Sequence, residues 1–226
     1  MKISRTFFLF FVLIGIHFSA QAQFMDSLRS SIHKRPKFFF SFNSRSSFIT
    51  NNEADIWGFV LGVNFNDKIN IGGGFNTLNT TFFKNKQLRT MVGNDSTVKE
   101  TLSFFYWSYY VEYIFYSTKH WQFSIPFQIG IGNSDYQYVY RGVTYTDNQN
   151  MIIPIEPVFS ITYQFNKWLG FGTNIGYRFM LVNNAAIKQN FNSPTYDFGI
   201  QIYYIEIFKS IFPHCKITKK LNSNSD

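Results

Sequence analysis

The sequence predicts an all-β fold, an eight-stranded antiparallel transmembrane β-barrel. Successive segments alternate large apolar residues with small or polar ones, which indicates β-strands with two unlike faces. Aromatic residues make up 21% of the chain while charged residues make up only 15%, a balance typical of a lipid-facing wall with aromatic girdles. Beyond the N-terminal segment no run reaches the roughly 20 apolar residues of a spanning helix. A membrane is therefore crossed by strands, since only helices and closed barrels satisfy the backbone there.

Residues 1–22 are predicted to be a secretory signal peptide. Met1–Arg5 is basic, Phe7–Phe18 is a short apolar run, and Ala20-Gln21-Ala22 is a small-residue cleavage pattern. We expect cleavage after Ala22; an uncleaved anchor helix is the alternative, disfavoured because the apolar run is short. Residues 23–36 are polar and basic and are predicted to be a periplasmic lead-in.

The barrel is predicted over residues 37–208. The clearest strand begins at Trp121, where Trp, Phe, Ile, Phe, Ile and Ile alternate with Gln, Ser, Pro, Gln and Gly. The eight predicted strands are 37–47, 56–65, 68–77, 105–115, 121–132, 153–165, 169–181 and 195–208.

Several residues depart from the alternation. Four aromatic residues share the polar parity of their strands: Phe39, Phe104, Tyr106 and Tyr110. Three prolines also fall inside predicted strands, where each removes a backbone donor from the ladder: Pro126, Pro154 and Pro157. Bulges or later strand starts are expected at the prolines.

The connections alternate in length. Polar excursions follow the odd-numbered strands, at 47–55, 80–100, 136–150 and 183–193, and two-residue turns follow the even-numbered ones, at Asn66-Asp67, Ser117-Thr118 and Asn166-Lys167. Long outside loops with short periplasmic turns are typical of an outer-membrane barrel with both termini in the periplasm. The predicted location is therefore the cell outer membrane, and the barrel is expected to be monomeric.

The competing fold is a soluble eight-stranded barrel of the lipocalin type, which would enclose its large apolar residues. A lumen of eight strands cannot hold about five large side chains from each strand. The opposite face is rich in glycine and fits a narrow lumen, so the membrane barrel is preferred.

Five charged residues fall on the small, polar face and are predicted to form a lumen charge network: Arg45, Glu112, Glu156, Arg178 and Asp197. Unpaired charges in a narrow interior would be costly, so these groups should pair or be hydrated. One interpretation is a structural salt-bridge network that fills a closed lumen. The other is a gated pore or proton path.

No catalytic, cofactor-binding or metal-binding residues are predicted. The mature chain has only His33, His120 and His214, and none lies in a loop predicted to face outward, where a general base would be needed. The one cysteine, Cys215, permits neither an intramolecular disulfide nor a multi-cysteine metal site. Removing Lys2 and Arg5 with the signal lowers the net charge from +8 to +6, but an exported barrel meets no nucleic acid.

Residues 37–208 resemble the small outer-membrane β-barrel family that includes the transmembrane part of outer membrane protein A and the outer membrane protein X group. The wealth of Phe, Tyr, Asn and Lys and the Ala-Gln-Ala signal end resemble such proteins from Bacteroidota, among them the PorT family, an accessory of a protein secretion system. Family members commonly end on a strand-terminal aromatic residue. Residues 204–208, Tyr-Ile-Glu-Ile-Phe, resemble that signal, but a basic tail at 209–226 follows it.

The resemblance implies a non-catalytic outer-membrane protein with a structural or accessory role in the cell envelope. Its expected partners are outer-membrane lipid and envelope or secretion proteins, contacted through the loops or through the periplasmic tail at 209–226. The tyrosines of residues 136–145 would suit such a contact. The alternatives are a narrow passive pore for small solutes and a PorT-like secretion accessory.

Overall fold

The computed structural model describes residues 29–31, 36–50, 52–88, 96–166, 168–187, 190–202, 207 and 210–211. These residues form one antiparallel sheet of nine strands, eight of which close into a ring. The all-β, eight-stranded antiparallel barrel predicted from the sequence is confirmed, and the ninth strand is an addition to it.

The eight strands of the ring lie in chain order, each beside the next. The bounds of all nine strands are β1 Lys37–Ile49, β2 Asn52–Phe65, β3 Ile69–Leu78, β4 Phe83–Leu88, β5 Ser96–Ser117, β6 Trp121–Tyr140, β7 Val143–Gln164, β8 Leu169–Val182 and β9 Ser193–Ile202. The ring runs β3-β2-β1-β9-β8-β7-β6-β5 and returns to β3. The short β4 pairs with residues 96–101 of β5, along the same edge that β3 occupies further down.

The period-two alternation separates the two faces of the wall. Large apolar side chains point outward and are exposed on every strand of the ring; examples are Phe42, Leu61, Ile71, Trp107, Ile131, Phe159, Phe171 and Phe198. The opposite parity points inward and carries the buried polar and charged residues. A wall that is apolar outside and polar inside is the arrangement that lipid requires.

The polar excursions are mostly strand rather than loop, which corrects the sequence interpretation. Residues 47–49 belong to β1 and residues 52–55 to β2, with a turn at Thr50. Residues 136–150 form a hairpin that turns at Arg141-Gly142 with positive φ angles of 51° and 76°. Residues 83–88 and 96–100 form β4 and the start of β5. Of the four polar excursions, only the last lacks strand structure in its described residues up to 192. These segments are polar because they are parts of strands beyond the apolar belt, where neither face of the sheet needs to be apolar.

The short turns lie at the opposite end, which we call the turn end. Asn66 and Asp67 both have positive φ, 54° and 52°, as a tight hairpin turn requires. The second turn falls at residues 118–120, slightly later than predicted, and the Thr118 N–H donates to the Trp121 carbonyl at 2.8 Å. In the third, the Asn166 side chain accepts hydrogen bonds from the N–H groups of Trp168 and Leu169.

Prolines interrupt the ladder without ending strands. The β7–β8 register shifts between Ile153 and Pro154, so a bulge lies there as expected. At Pro126 and Pro157 the strands continue in the same register on both sides, so the predicted bulges are absent there. Two further register shifts lie away from prolines, between Ile114 and Tyr116 and between Ser134 and Tyr136.

The last strand ends differently from the prediction. Its described part ends at Ile202, and Ile207, inside the range predicted as strand, is helical. Residues 29–31, within the predicted lead-in, are also helical. The signal peptide, Tyr204, Phe208, Cys215, His33 and His214 lie outside the described residues.

Three neighbouring strands are far longer than a membrane crossing needs. β5, β6 and β7 have 22, 20 and 22 residues, whereas a crossing takes roughly 9–11. Beyond the outward apolar belt, β5, β6 and β7 continue and form a sheet with β4. We call this the extension sheet, formed by β4 with residues 96–103, 133–140 and 143–150. It stands at the end opposite the short turns, the loop end.

Candidate functional site

A buried ion cluster occupies the middle of the lumen. The Glu156 carboxylate pairs with Arg45 through Nη1 and with Arg178 through Nε, the latter at 2.6 Å. Tyr106 donates its hydroxyl to the same carboxylate at 2.7 Å. The three charged side chains are at most 4% exposed, so their attraction is little screened by water. The positions follow from parity, because 45, 156 and 178 are all inward residues of their strands.

Neighbouring polar groups accept from two of the four remaining guanidinium nitrogens, whereas Arg45 Nε and Arg178 Nη2 are buried without a partner among the described residues. Arg45 Nη2 donates to the Asn76 side-chain oxygen and lies 3.4 Å from the Tyr106 hydroxyl. Arg178 Nη1 donates to the Ser47 hydroxyl at 3.3 Å. Two arginines against one glutamate leave the cluster with a net charge of +1.

Glu112 lies in a separate cluster nearer the turn end. Its carboxylate accepts hydrogen bonds from Asn70 at 2.6 Å, Tyr110 at 2.8 Å and Ser124 at 2.6 Å. Every one of these partners is neutral. Asp197 lies apart again and accepts both of its side-chain hydrogen bonds from the Asn174 amide, each 2.9 Å long. The structure therefore joins three of the five predicted charges by salt bridges and leaves Glu112 and Asp197 in polar clusters of their own.

An apolar plug closes the lumen above the ion cluster. Ile187 and Phe191 of the β8–β9 loop are 2% and 0% exposed and insert among inward residues of the wall. The Phe191 ring stacks on Phe104 with 4.8 Å between centroids. The plug also contains Ile49, Ala54, Ile56, Leu102, Tyr136 and Ile152. Among the described residues, the lumen on the loop side of the ion cluster therefore contains a packed apolar cluster.

The four aromatic residues that depart from the alternation also face the lumen. They were not predicted as site residues because lumen residues were selected by charge. Phe104 lies in the plug, Tyr106 in the ion cluster and Tyr110 in the Glu112 cluster. Phe39 also faces inward, and its ring lies 6.1 Å from that of Tyr110. Their shared polar parity was the signal for these positions.

Glycine makes room for one of these inward rings. A Cβ built on Gly62 would lie 2.7 Å from Cε1 of Phe39 and 2.7 Å from the Gly72 Cα. The pair of glycines thus lets β2 and β3 pass behind a large side chain in a narrow barrel.

On the inner face of the extension sheet, a lysine side chain contacts two carboxylates and an aromatic ring. Lys86 Nζ lies 3.0 Å from Glu100, forms an ion pair with Asp147, and sits 4.6 Å from the centroid of Tyr138. Tyr138 in turn stacks on Tyr145 at 5.4 Å. These contacts tie β4, β5, β6 and β7 together, so the sheet is braced by side chains as well as by its ladder.

Groups that could support catalysis or metal binding are sparse in the described chain. His120 lies at the turn end, where its Nδ1 is 3.0 Å from the Gln164 carbonyl and its ring stacks on Tyr163. The described residues contain no group of three or more His, Cys, Asp or Glu side chains placed to hold a metal ion. Among them there is also no helix of the length and apolarity that a membrane span requires.

Comparison of structures finds proteins with the same fold, whereas comparison of sequences finds no match. No known protein family matches the sequence, and no curated protein matches it significantly. The crystal structure of Neisserial surface protein A superposes with a TM-score of 0.51 at 7% identity, over 75% of this chain and 99% of that one. At that identity the likeness shows a shared fold, that of a small outer-membrane β-barrel.

Two further structures are similar with lower scores. Ail, the attachment invasion locus protein of Yersinia pestis, solved in complex with the heparin analogue sucrose octasulfate, has a TM-score of 0.45 at 9% identity over 74% of this chain and 97% of that one. The N-terminal β-barrel domain of Pseudomonas aeruginosa OprF has a TM-score of 0.39 at 9% identity, with the same two coverages, 74% and 97%.

Proposed function

We propose that this chain is a non-catalytic outer-membrane protein with a structural or accessory role in the cell envelope, and that it contacts its partners through the extension sheet. The observation that carries the proposal is the filled lumen. The apolar plug and the buried ion cluster occupy the interior in succession, with Phe191 and Arg178 each 0% exposed. What the fold offers to other molecules is therefore its outside.

The extension sheet is the part of the outside that lipid does not cover. Beyond the apolar belt its outer face changes to polar residues such as Asn85, Gln87, Thr97, Gln137 and Thr146, all exposed. Isolated apolar and aromatic side chains remain accessible among them, including Phe83 at 65% and Val139 at 63%. Rigid aromatic side chains on a polar background are typical of protein contact surfaces. The expected partners are envelope or secretion proteins, and a PorT-like secretion accessory is one form of this proposal.

The test is a cross-linked pull-down of the tagged protein from native outer membranes, with mass spectrometry of the recovered proteins. The double variant Phe83→Ser/Val139→Ser changes two exposed side chains of the outer face and should lose a partner that the wild type recovers. Phe165→Ser changes an aromatic residue that is 59% exposed at the turn end and is the matched control, which should keep the partner. Loss of the partner only in Phe165→Ser would place the contact at the turn end, and recovery of the protein alone in every case would count against an accessory role.

A passive pore for small solutes is the alternative from a different class, and bilayer conductance separates the two. The wild type is expected to be electrically silent. A steady ohmic conductance of the wild type that changes in Glu112→Ala or Arg178→Ala would overturn the filled-lumen argument and favour the pore.

A further inference from the structure

The ring closes at its least-paired seam, between β1 and β9. Among the described residues of these two strands the ladder contains the single pair Ser46↔Tyr196. Near it, the Phe48 N–H donates to the Ser193 hydroxyl at 2.7 Å. The other seams of the ring are paired along most of their length. Between residues 40–45 of β1 and residues 197–202 of β9, the described part of the ladder contains no further pair.

The existing pair fixes the register that further pairing would take. Antiparallel strands pair residues whose numbers have a constant sum, so extension from Ser46↔Tyr196 sets Arg45 against Asp197 and Ser44 against Phe198. The faces agree with this register. Arg45 and Asp197 both have inward parity, whereas Phe198 is outward and 70% exposed. A slip by one residue would exchange the two faces, so the membrane permits only this register or one displaced by an even number of residues.

Groups on both sides of the seam are incompletely satisfied. Arg45 Nε and the Asn43 side-chain oxygen are buried and have no hydrogen-bond partner among the described residues. Asp197 is bonded only to a neutral amide by its side chain in this structure, although it lies within electrostatic range of Arg45. A Cβ built on Gly199, which would face Asn43, meets nothing within 4 Å. There is therefore unfilled space on the inner side of β9, next to the part of the seam where the described residues of β1 and β9 are not paired.

Charge balance indicates what would close the seam. The ion cluster of Arg45, Arg178 and Glu156 has a net charge of +1, and Asp197 carries the one negative charge that the register sets opposite it. Pairing Arg45 with Asp197 would neutralise the buried cluster and give Arg45 Nε an acceptor. It would also satisfy backbone groups that have no water to bond in the hydrocarbon region.

We propose that the β1–β9 seam is a two-state latch, zipped by an ion pair between Arg45 and Asp197 and open towards the turn end when that pair is broken. In the zipped state the ladder continues from Ser46↔Tyr196 through Ser44↔Phe198, and the lumen is closed on every side. In the open state the polar groups around Asp197 and Asn174 face the bilayer through the gap. The latch is independent of the proposed partner-binding role.

Disulfide trapping in the full-length protein in outer membranes tests the latch. All variants carry Cys215→Ser. Residues directly opposite in an antiparallel pair have Cα atoms roughly 4.5–5.5 Å apart, which is within disulfide reach. Ser44→Cys/Phe198→Cys is expected to cross-link on mild oxidation. Ser46→Cys/Tyr196→Cys, already paired, should cross-link faster and serves as the positive control, while Phe40→Cys/Phe198→Cys, out of register, should not cross-link.

The charge dependence is tested in the same assay. Asp197→Asn should lower the Ser44→Cys/Phe198→Cys yield about tenfold, because a charge-assisted hydrogen bond contributes enough to shift a two-state equilibrium by about that factor. Asp197→Glu should retain most of the yield, and the positive control should be unaffected by either change. Heat-modifiable mobility verifies that each variant is folded.

Three results would overturn the latch. Absence of the Ser44–Phe198 cross-link while the positive control forms would show that the seam does not zip. Equal yields for the in-register and out-of-register pairs would show loose strands without a defined second state. An unchanged yield in folded Asp197→Asn would remove the ion pair from the mechanism. The first two results need no change at Asp197, so they stand even if that variant does not fold.

Discussion

Phe191 of the β8–β9 loop stacks on Phe104 of β5, with 4.8 Å between the ring centroids. A side chain from a loop thus fills part of the lumen and packs against an inward residue of the wall. The chain connecting β8 to β9 contributes to the interior packing, since Ile187 enters the same plug.

Phe191→Ala is expected to destabilise the barrel by about 3–5 kcal/mol, because truncating a fully buried phenylalanine loses its transfer free energy and leaves a cavity. The measurement is urea unfolding of the reconstituted protein, followed by its heat-modifiable mobility. Phe83→Ala is the matched control, since Phe83 on β4 is 65% exposed and surface substitutions usually change stability by less than about 0.5 kcal/mol. Similar small losses for both variants would show that the loop does not seal the lumen.

The ion cluster predicts an unequal response to removing its members. Glu156→Gln leaves Arg45 and Arg178 buried without a counter-ion and should cost about 3–5 kcal/mol. Arg178→Met leaves the Arg45–Glu156 pair intact and neutral, so it should cost clearly less. The same unfolding assay ranks the two, with exposed Glu53→Gln as the control for loss of one negative charge. The opposite order would mean that Glu156 is not the shared counter-ion.

Gly62 and Gly73 predict alanine effects of opposite direction. Gly62→Ala places a Cβ 2.7 Å from the Phe39 ring and from the Gly72 backbone, and overpacking of this kind costs about 1–3 kcal/mol. At Gly73 the nearest atom to a new Cβ is the Ser108 carbonyl oxygen at 3.7 Å. Gly73→Ala should therefore be neutral, or stabilising by up to about 1 kcal/mol, because alanine loses less backbone entropy in a strand. Thermal unfolding monitored by circular dichroism distinguishes the two, and equal effects would contradict the tight passage behind Phe39.

The sequence predicted the barrel because two-sided strands leave a strong pattern. All eight ring strands overlap their predicted ranges, and the inward parity of Arg45, Glu156 and Arg178 was sufficient to place them in the lumen. Parity could not say which charges would meet. That depends on the height of each residue along tilted strands, and it separates Glu112 from the other three.

The parts that sequence reasoning missed are those where the membrane imposes no pattern. Polar strands such as β4 and the outer part of β7 resemble loops, because above the bilayer neither face must be apolar. Ile187 and Phe191 are two apolar residues in a polar connection, a sparse signal that becomes meaningful only once the loop is seen to fold inward. Ile207 is helical inside the range predicted as the eighth strand, which residue alternation alone did not reveal.

Lys86 predicts that the extension sheet can be loosened without changing the barrel. Its ammonium joins Glu100 of β5 and Asp147 of β7 and lies over the Tyr138 ring. Lys86→Gln leaves two carboxylates facing each other without a cation, so amide exchange should accelerate in residues 96–101 and 143–150. Because Lys86 and Asp147 are each about 30% exposed, the wild-type protection should itself weaken as salt screens the pair.

Hydrogen exchange with mass spectrometry measures this, region by region, in detergent. Lys99→Gln is the matched control, because Lys99 lies over Phe83 on the outer face and has the same charge but does not contact β7. Protection in the lower halves of β5 and β7 should be the same in the wild type and both variants. Equal exchange in residues 143–150 for Lys86→Gln and Lys99→Gln would show that the ladder alone holds the sheet, and that the lysine bridge contributes nothing to its rigidity.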